Sequence, residues 1–145
     1  MINIRSGTFA FYNDNYYELV DRDKEDCLLI HRGCTNSQLQ RLGFTEYSDQ
    51  VYLLAIKRKD INSAFQVRTY CVYKDFKYQI TDNLKDEKFR IWPLAEAQNH
   101  LQDFQRHGFD PVYEIAETDI TSIWEEREPL LDFPFKVEKI IYLKG

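Results

Sequence analysis

The stretch TYCVYKDFKYQI, Thr69–Ile80, nearly restates TFAFYNDNYYEL, Thr8–Leu19. With the chain slid by 61 residues, 8–30 lies over 69–91 without a gap and seven of 23 positions are identical. They are Thr8/Thr69, Tyr12/Tyr73, Asp14/Asp75, Tyr17/Tyr78, Asp21/Asp82, Lys24/Lys85 and Ile30/Ile91. The order then resumes, with small changes in loop length. Gly43-Phe44 answers Gly108-Phe109, Val51-Tyr52 answers Val112-Tyr113, and Asp60-Ile61 answers Asp119-Ile120. Phe65 answers Trp124 and Arg68 answers Arg127. The match reads as a duplication, one supersecondary unit used twice.

Each copy carries the same local grammar. Phe9 and Phe11 alternate with Ala10 and Tyr12, which is the period of a strand. Asn13-Asp14-Asn15 is turn chemistry, because Asn and Asp tolerate positive φ, so 7–20 reads as a hairpin. Residues 27–31 and 51–57 read as further strands, 35–43 as a turn or two of helix, and 59–65 as a short helical turn. The second copy gives strands near 69–73, 76–81, 87–92 and 111–116, then a short helix at 118–124 capped by Thr118. Between them, 93–107 reads as a fuller helix. Pro93 suits its first position, Leu94, Ala97, Leu101 and Phe104 make one apolar face, His107 suits the last turn, and Gly108 suits C′. The last residues, 135–145, read as a closing strand.

The expected fold is therefore mainly β, of the α+β kind, with two repeats of four to five short antiparallel strands and a short helix each. The strand order is that of a small SH3-like barrel. The repeats fall at 1–68 and 69–145, the second holding the helix at 93–107. Each repeat alone is small for independent stability, so the two are expected to pack as one compact unit. A single pseudo-symmetric sheet with helices on one face is the alternative. An aromatic share of 15% agrees with a β-rich chain.

Chemistry is sparse. None of the phosphate-loop, dinucleotide, nucleophile-elbow or zinc-protease motifs occurs, and five glycines leave little for phosphate cradles. Cys27, His31 and Cys34 supply three ligand types at a spacing that matches no usual zinc pattern. A buried thiol, an edge histidine and a loop thiol is the plainer reading. His100 and His107 share one face of the expected helix and could relay protons or bind metal, or simply border its apolar stripe. A cysteine nucleophile needs a held histidine base, and nothing marks Cys34 as one. No catalytic residue, metal or cofactor is expected, and the chain is read as not an enzyme. Asp14 and Asp75 recur at the hairpin tips, where turn formation explains them, and the paired tyrosines read as core.

Charge is the more informative feature. Residues 1–68 carry nine basic and nine acidic side chains, whereas 69–145 carry ten basic and fifteen acidic, which accounts for the whole net charge of -5. The stretch 110–132 holds eight acids and one Arg. Such a surface repels phosphate backbones, so no nucleic-acid partner is expected there and a basic protein is favoured. Trp124 sits among Glu125, Glu126 and Glu128, the mixture of aromatic anchor and charged rim that marks a protein-binding surface. Glu114, Glu117 and Asp119 complete the candidate partner-binding set. The competing reading makes Trp124 core, like Phe65, and the acids a solvated face.

No apolar run reaches the ~20 residues that span a bilayer, so no membrane partner is expected. The N-terminal stretch lacks a signal-peptide pattern, and three cysteines do not make a disulfide framework. A cytoplasmic location is the expectation.

The second half, from YCVYKDFKYQI through GFDPVYEIAETDITSIWEEREP, resembles small bacterial immunity proteins of polymorphic toxin systems. The shared elements are a tyrosine-rich hairpin, a Gly-Phe step, a strand, and an ending of the form acid-Ile-x-x-Ile-Trp-Glu-Glu. The resemblance implies a non-enzymatic inhibitor that binds one cognate protein toxin, with an acidic face against a basic toxin groove. A tandem SH3-like module binding peptides or nucleic acid, through basic clusters such as Lys57-Arg58-Lys59, is the second reading. A small enzyme with an unmarked Cys/His site is the third.

Overall fold

A computed structural model of the chain describes residues 2, 4–23, 25–100, 105–107 and 110–145, with the backbone alone described at 21, 98–100, 105–107 and 110–112. Strands dominate. They run β1 Gly7–Tyr12, β2 Asn15–Asp21, β3 Asp26–Arg32, β4 Thr45–Ser48, β5 Val51–Lys57 and β6 Ser63–Tyr73. They continue as β7 Phe76–Leu84, β8 Lys88–Pro93, β9 Gln105–His107, β10 Asp110–Ala116, β11 Ser122–Pro129 and β12 Ile140–Lys144. Helix α1, Ser37–Leu42, follows β3, and helix α2, Ala95–His100, follows β8. Single 3-10 turns at Arg58–Asp60 and Glu117–Asp119 follow β5 and β10. Among the described residues no helix is long and apolar enough to cross a membrane.

The chain forms two compact units that are not its consecutive halves. The first is 7–66 with 128–137, and the second is 1–6, 67–127 and 138–145. In the first, neighbouring strands run β4-β5-β3-β2-β1. In the second they run β6-β7-β8-β10-β9, with β11 beside β6 and β12 beside β11. The hairpin pairs are antiparallel, as in Ala10↔Tyr17 of β1–β2 and Cys71↔Tyr78 of β6–β7.

Local chemistry explains these elements. Both hairpin tips hold two residues at positive φ, Asn13 and Asp14 in one and Lys74 and Asp75 in the other. That is the backbone of a two-residue type I′ turn, whose twist matches the strands it joins. Helix α1 starts at Asn36, whose side chain accepts the Leu39 N–H at 2.9 Å. It ends at Gly43, which sits at φ 103°, a left-handed conformation that only glycine adopts without strain. Alternation buries one face of each core strand. In the first unit Tyr17, Leu19, Cys27, Leu29, Leu39, Phe44 and Ile56 pack together. In the second, Cys71, Tyr78, Ile80, Phe89, Ile91, Tyr113, Ile120 and Ile123 do so. The paired tyrosines Tyr17 and Tyr78 are thus core residues.

Three helical expectations are corrected. The helix expected at 93–107 is only Ala95–His100. Pro93 is the last residue of β8, opposite Tyr78, a strand end where its missing N–H does no harm. Gln105–His107 is strand β9, paired with β10, so cross-strand bonding overrides the helical period there. Leu101, Phe104, Gly108 and Phe109 lie outside the described residues, as do the side chains of His100 and His107. Of the helix at 118–124, only the 3-10 turn Glu117–Asp119 exists, and Ser122–Trp124 opens β11, where Trp124 pairs with Tyr142. Of the turn at 59–65, only Arg58–Asp60 is helical. Ser63 and Ala64 are held extended because Ser63 Oγ accepts the Lys136 N–H at 2.9 Å and the Ala64 N–H donates to the Pro134 carbonyl at 3.0 Å. The closing strand is shorter than 135–145, being Ile140–Lys144.

Candidate functional site

Strand β11 carries most of the acidic motif, and its pleat sorts the residues. Ile123, Glu125 and Arg127 point inward, while Trp124 and Glu126 point outward. A two-residue period allows nothing else on a half-buried strand.

Inward, Glu125 and Arg127 are 4% and 6% exposed. Arg127 Nη2 lies 3.1 Å from Glu125 Oε1. Arg5 adds a two-pronged contact, Nε to Oε2 at 2.9 Å and Nη2 to Oε1 at 3.1 Å. The Arg5 carbonyl in turn accepts the Thr69 hydroxyl at 2.8 Å, which ties Arg5 to β6. Glu125 is therefore a structural ion-pair centre, occupied on both oxygens.

Outward, the arrangement is different. The Trp124 ring stacks on Tyr70 of β6, centroids 6.2 Å apart and planes at 28°, and meets Tyr142 of β12 at 5.9 Å. The Lys77 ammonium lies 4.2 Å from the Tyr70 centroid and 5.7 Å from that of Trp124, within cation–π range of both. Lys77 Nζ and Trp124 Nε1 each donate to Glu126 Oε2 at 3.0 Å. Partial burial pushes the Glu126 carboxyl up, but the Trp124 and Lys77 hydrogen bonds outweigh it and hold its pKa below the ordinary 4.5. Glu126 is ionised at neutral pH, and both hydrogen bonds found on it use one oxygen. Beside this group Tyr142 is 65% exposed and Ile140 48% exposed. The result is an aromatic platform with one fixed anion and one fixed cation on it.

The remaining candidate residues do not converge there. Glu114, exposed on β10, faces Arg90 of β8 at 3.5 Å. β10 is three strands from β6 along the second unit. Glu117 and Asp119 lie in the 3-10 turn, with the Glu117 carbonyl accepting Lys144 Nζ at 2.8 Å. Glu128 is exposed at the far end of β11, in the other unit. Of the seven candidates, Trp124 and Glu126 share one surface group. Tyr70, Lys77, Ile140 and Tyr142 belong to it too and were not among them. Only Tyr142, alternating with the aliphatics of IIYLK, left any trace in the sequence; strand pairing supplies the rest.

The cysteine and histidine cluster has no metal geometry. His31 Nε2 lies 3.0 Å from the Cys34 carbonyl oxygen, Cys34 is exposed, and Cys27 is buried in the first-unit core. Among the described residues no three His, Cys, Asp or Glu side chains are grouped as metal ligands. The first unit also holds a groove of about 300 Å³ lined by Thr8, Leu19, Leu130, Leu131 and Phe133, none of them ionisable.

A family model described as Uncharacterised conserved protein UCP033725 matches residues 4–130, and the chain belongs to that family. No curated protein and no solved structure matches the chain.

Proposed function

We propose that this chain is a non-enzymatic protein-binding module whose partner docks on the outer face of β11 and β12. The supporting observation is the grouping of Trp124, Tyr70 and Tyr142 around the ionised Glu126, with Ile140 exposed at its edge. Aromatic anchors beside fixed charges are what partner-binding hot spots are made of. The acidic excess of the second half adds a field that favours a basic partner. We read that partner as a cognate toxin and the chain as its immunity protein, in line with the resemblance of 70–129. The binding residues are then Trp124 and Glu126 with Tyr70, Lys77 and Tyr142, and Glu125 acts by holding β11 in place.

The duplication reading gains support from the element order. Three strands, a helix, two strands, a 3-10 turn and a strand run once from β1 to β6 and again from β6 to β11. The pair Ala10↔Tyr17 recurs as Cys71↔Tyr78, at the sequence offset of 61. A strand order of SH3-like type, repeated, is the finer form of that proposal.

The test is calorimetric titration of the chain with the protein products encoded beside it, a basic toxin domain being the expected partner. The expected result is one-to-one binding, weakened at least about tenfold by Trp124→Ala. Charge reversal at Glu126 should slow association most at low salt. Absence of binding to any neighbouring product, or binding unaltered by both changes, would overturn the proposal.

A further inference from the structure

Neighbouring glutamates on β11 each gather cations, on opposite faces of the strand. Inward, Glu125 is held by two of them. Arg127 reaches Oε1, and Arg5 reaches both oxygens. Outward, Glu126 is held by one. Lys77 donates to Oε2, and the Trp124 indole donates to that same oxygen. Among the described residues no hydrogen bond reaches Glu126 Oε1. The Glu126 side chain is 34% exposed, so a second donor can approach it. A carboxylate has room for such a donor, since its two oxygens offer about four acceptor sites.

Lys77 shows how this surface seats a cation. Its ammonium lies over the Tyr70 ring and is bonded to Glu126 Oε2, a ring and a carboxylate together. Tyr142 offers the same pair of groups a second time. It is opposite Trp124, while Glu126 is opposite Ile140, so Tyr142 and Glu126 are diagonal neighbours across β11 and β12. Such neighbours stand about 7–8 Å apart, a span that a planar cation laid on the ring can bridge to the carboxylate. Tyr142 is 65% exposed, and among the described residues no cation lies over its ring. A cation there would share Glu126 with Lys77, as Arg5 and Arg127 share Glu125.

We infer that the outer face of β11 and β12 holds an open seat for one arginine of the partner protein, its guanidinium flat on Tyr142 and donating to Glu126 Oε1. The inference rests on the reading of this face as a docking surface, and it names the partner group that the surface takes. Arginine suits the seat better than lysine for two reasons. Its plane stacks on a ring while its edge donates sideways, which a single ammonium does less well. It is also less strongly hydrated, so less is lost when it leaves water. Ile140, exposed at the edge of the seat, supplies apolar surface for the methylene stem.

The test needs only the full chain and two small probes. N-acetyl-arginine amide and N-acetyl-lysine amide are titrated separately at matched ionic strength. NMR follows the Trp124 indole N–H, the Tyr142 ring and the Glu126 carboxylate. The arginine probe should bind at least about threefold more tightly than the lysine probe. That preference should vanish in Tyr142→Ala and in Glu126→Gln, two changes at solvent-facing side chains. Equal response to the two probes, no response to either, or a preference that survives both changes would overturn the inference. Failure of the toxin reading has a different signature. The arginine preference would then be intact while no neighbouring product binds, which supports the seat and removes the toxin. A toxin that binds in a manner sensitive to Trp124→Ala, with no arginine preference, removes the seat and keeps the docking face.

Discussion

Trp124 donates its indole N–H to the carboxylate of Glu126, two residues along the same strand, at 3.0 Å. The same oxygen accepts Lys77 from β7. Alternation places Trp124 and Glu126 on one face, and the bond fixes the ring between Tyr70 and Tyr142. The platform is thus fixed in the free chain, which under the docking proposal lowers the ordering cost of binding.

That bond predicts a pH dependence. Glu126 has a lowered pKa in the folded chain, so its contribution to stability is fully present above its ordinary 4.5. It is lost as pH falls through the lowered value. Wild type should therefore lose stability relative to Glu126→Gln as the pH drops below 4.5, and the difference should be flat above it. Trp124→Phe keeps the ring and removes one donor, and should move the Glu126 pKa upward in a carboxylate-detected NMR titration. An unmoved titration would show that Lys77 alone holds the carboxylate.

The neighbouring acids should behave oppositely. Glu125 is held by Arg5 and Arg127 inside the second unit, whereas Glu126 lies on its surface. Removing one member of a buried ionic cluster strands the others, at a cost of ~3–5 kcal/mol. Glu125→Gln should approach that loss in urea unfolding. Glu126→Gln should cost less than ~1 kcal/mol, as for other partly exposed pairs. On the docking proposal the ranking in binding should invert, because of the two only Glu126 lies on the outer face of β11. Equal losses of stability for the two would contradict the inward and outward assignment of β11.

Thiol reactivity gives a simple check of the cores. Burial pushes the Cys71 thiol up to about 12, so it stays protonated and shielded at pH values where alkylation is run. Cys27 is buried in the other unit, and Cys34 is exposed. Brief treatment of the native protein with iodoacetamide should add one label, at Cys34, and treatment in denaturant should add three. Native labelling of Cys27 or Cys71 would mean that its unit opens readily.

Much of this was legible because it is local. The 61-residue offset, the hairpins at Asn13-Asp14 and Lys74-Asp75, the strand Val51–Lys57 and helix α1 each rest on a few neighbouring residues. What failed was decided at long range. Pro93 looked like a helix start because the Leu94, Ala97, Leu101, Phe104 spacing is helical, but its place is set by pairing with Tyr78. Trp124 looked like a helix end because Thr118 reads as a helix N-cap, but the 3-10 turn stops at Asp119 and pairing with Tyr142 carries the chain on as a strand. The site was half visible for the same reason. Glu125 and Glu126 are alike as text and are separated only by the strand parity that turns one toward Arg5. Tyr70 and Lys77 reach Trp124 across strands, and no spacing in the sequence encodes that.

The hairpin tips supply a last prediction. Asp14 and Asp75 sit at φ 65° and 70° behind Asn13 and Lys74, which are also at positive φ. Such a turn is best served by glycine at its second position. An L residue with a branched Cβ is costly there, at about 1–2 kcal/mol. Asp75→Gly should therefore keep or raise stability, by up to ~1 kcal/mol, although glycine also frees the unfolded chain and reduces the gain. Asp75→Val should lower stability by about 1–2 kcal/mol, and the same pair of changes at Asp14 should act in the same direction. Thermal unfolding of the four variants checks this. Loss of partner binding in Asp75→Gly with stability kept would instead assign the carboxylate to recognition. The turn would then be the place where the docking surface extends beyond β11 and β12.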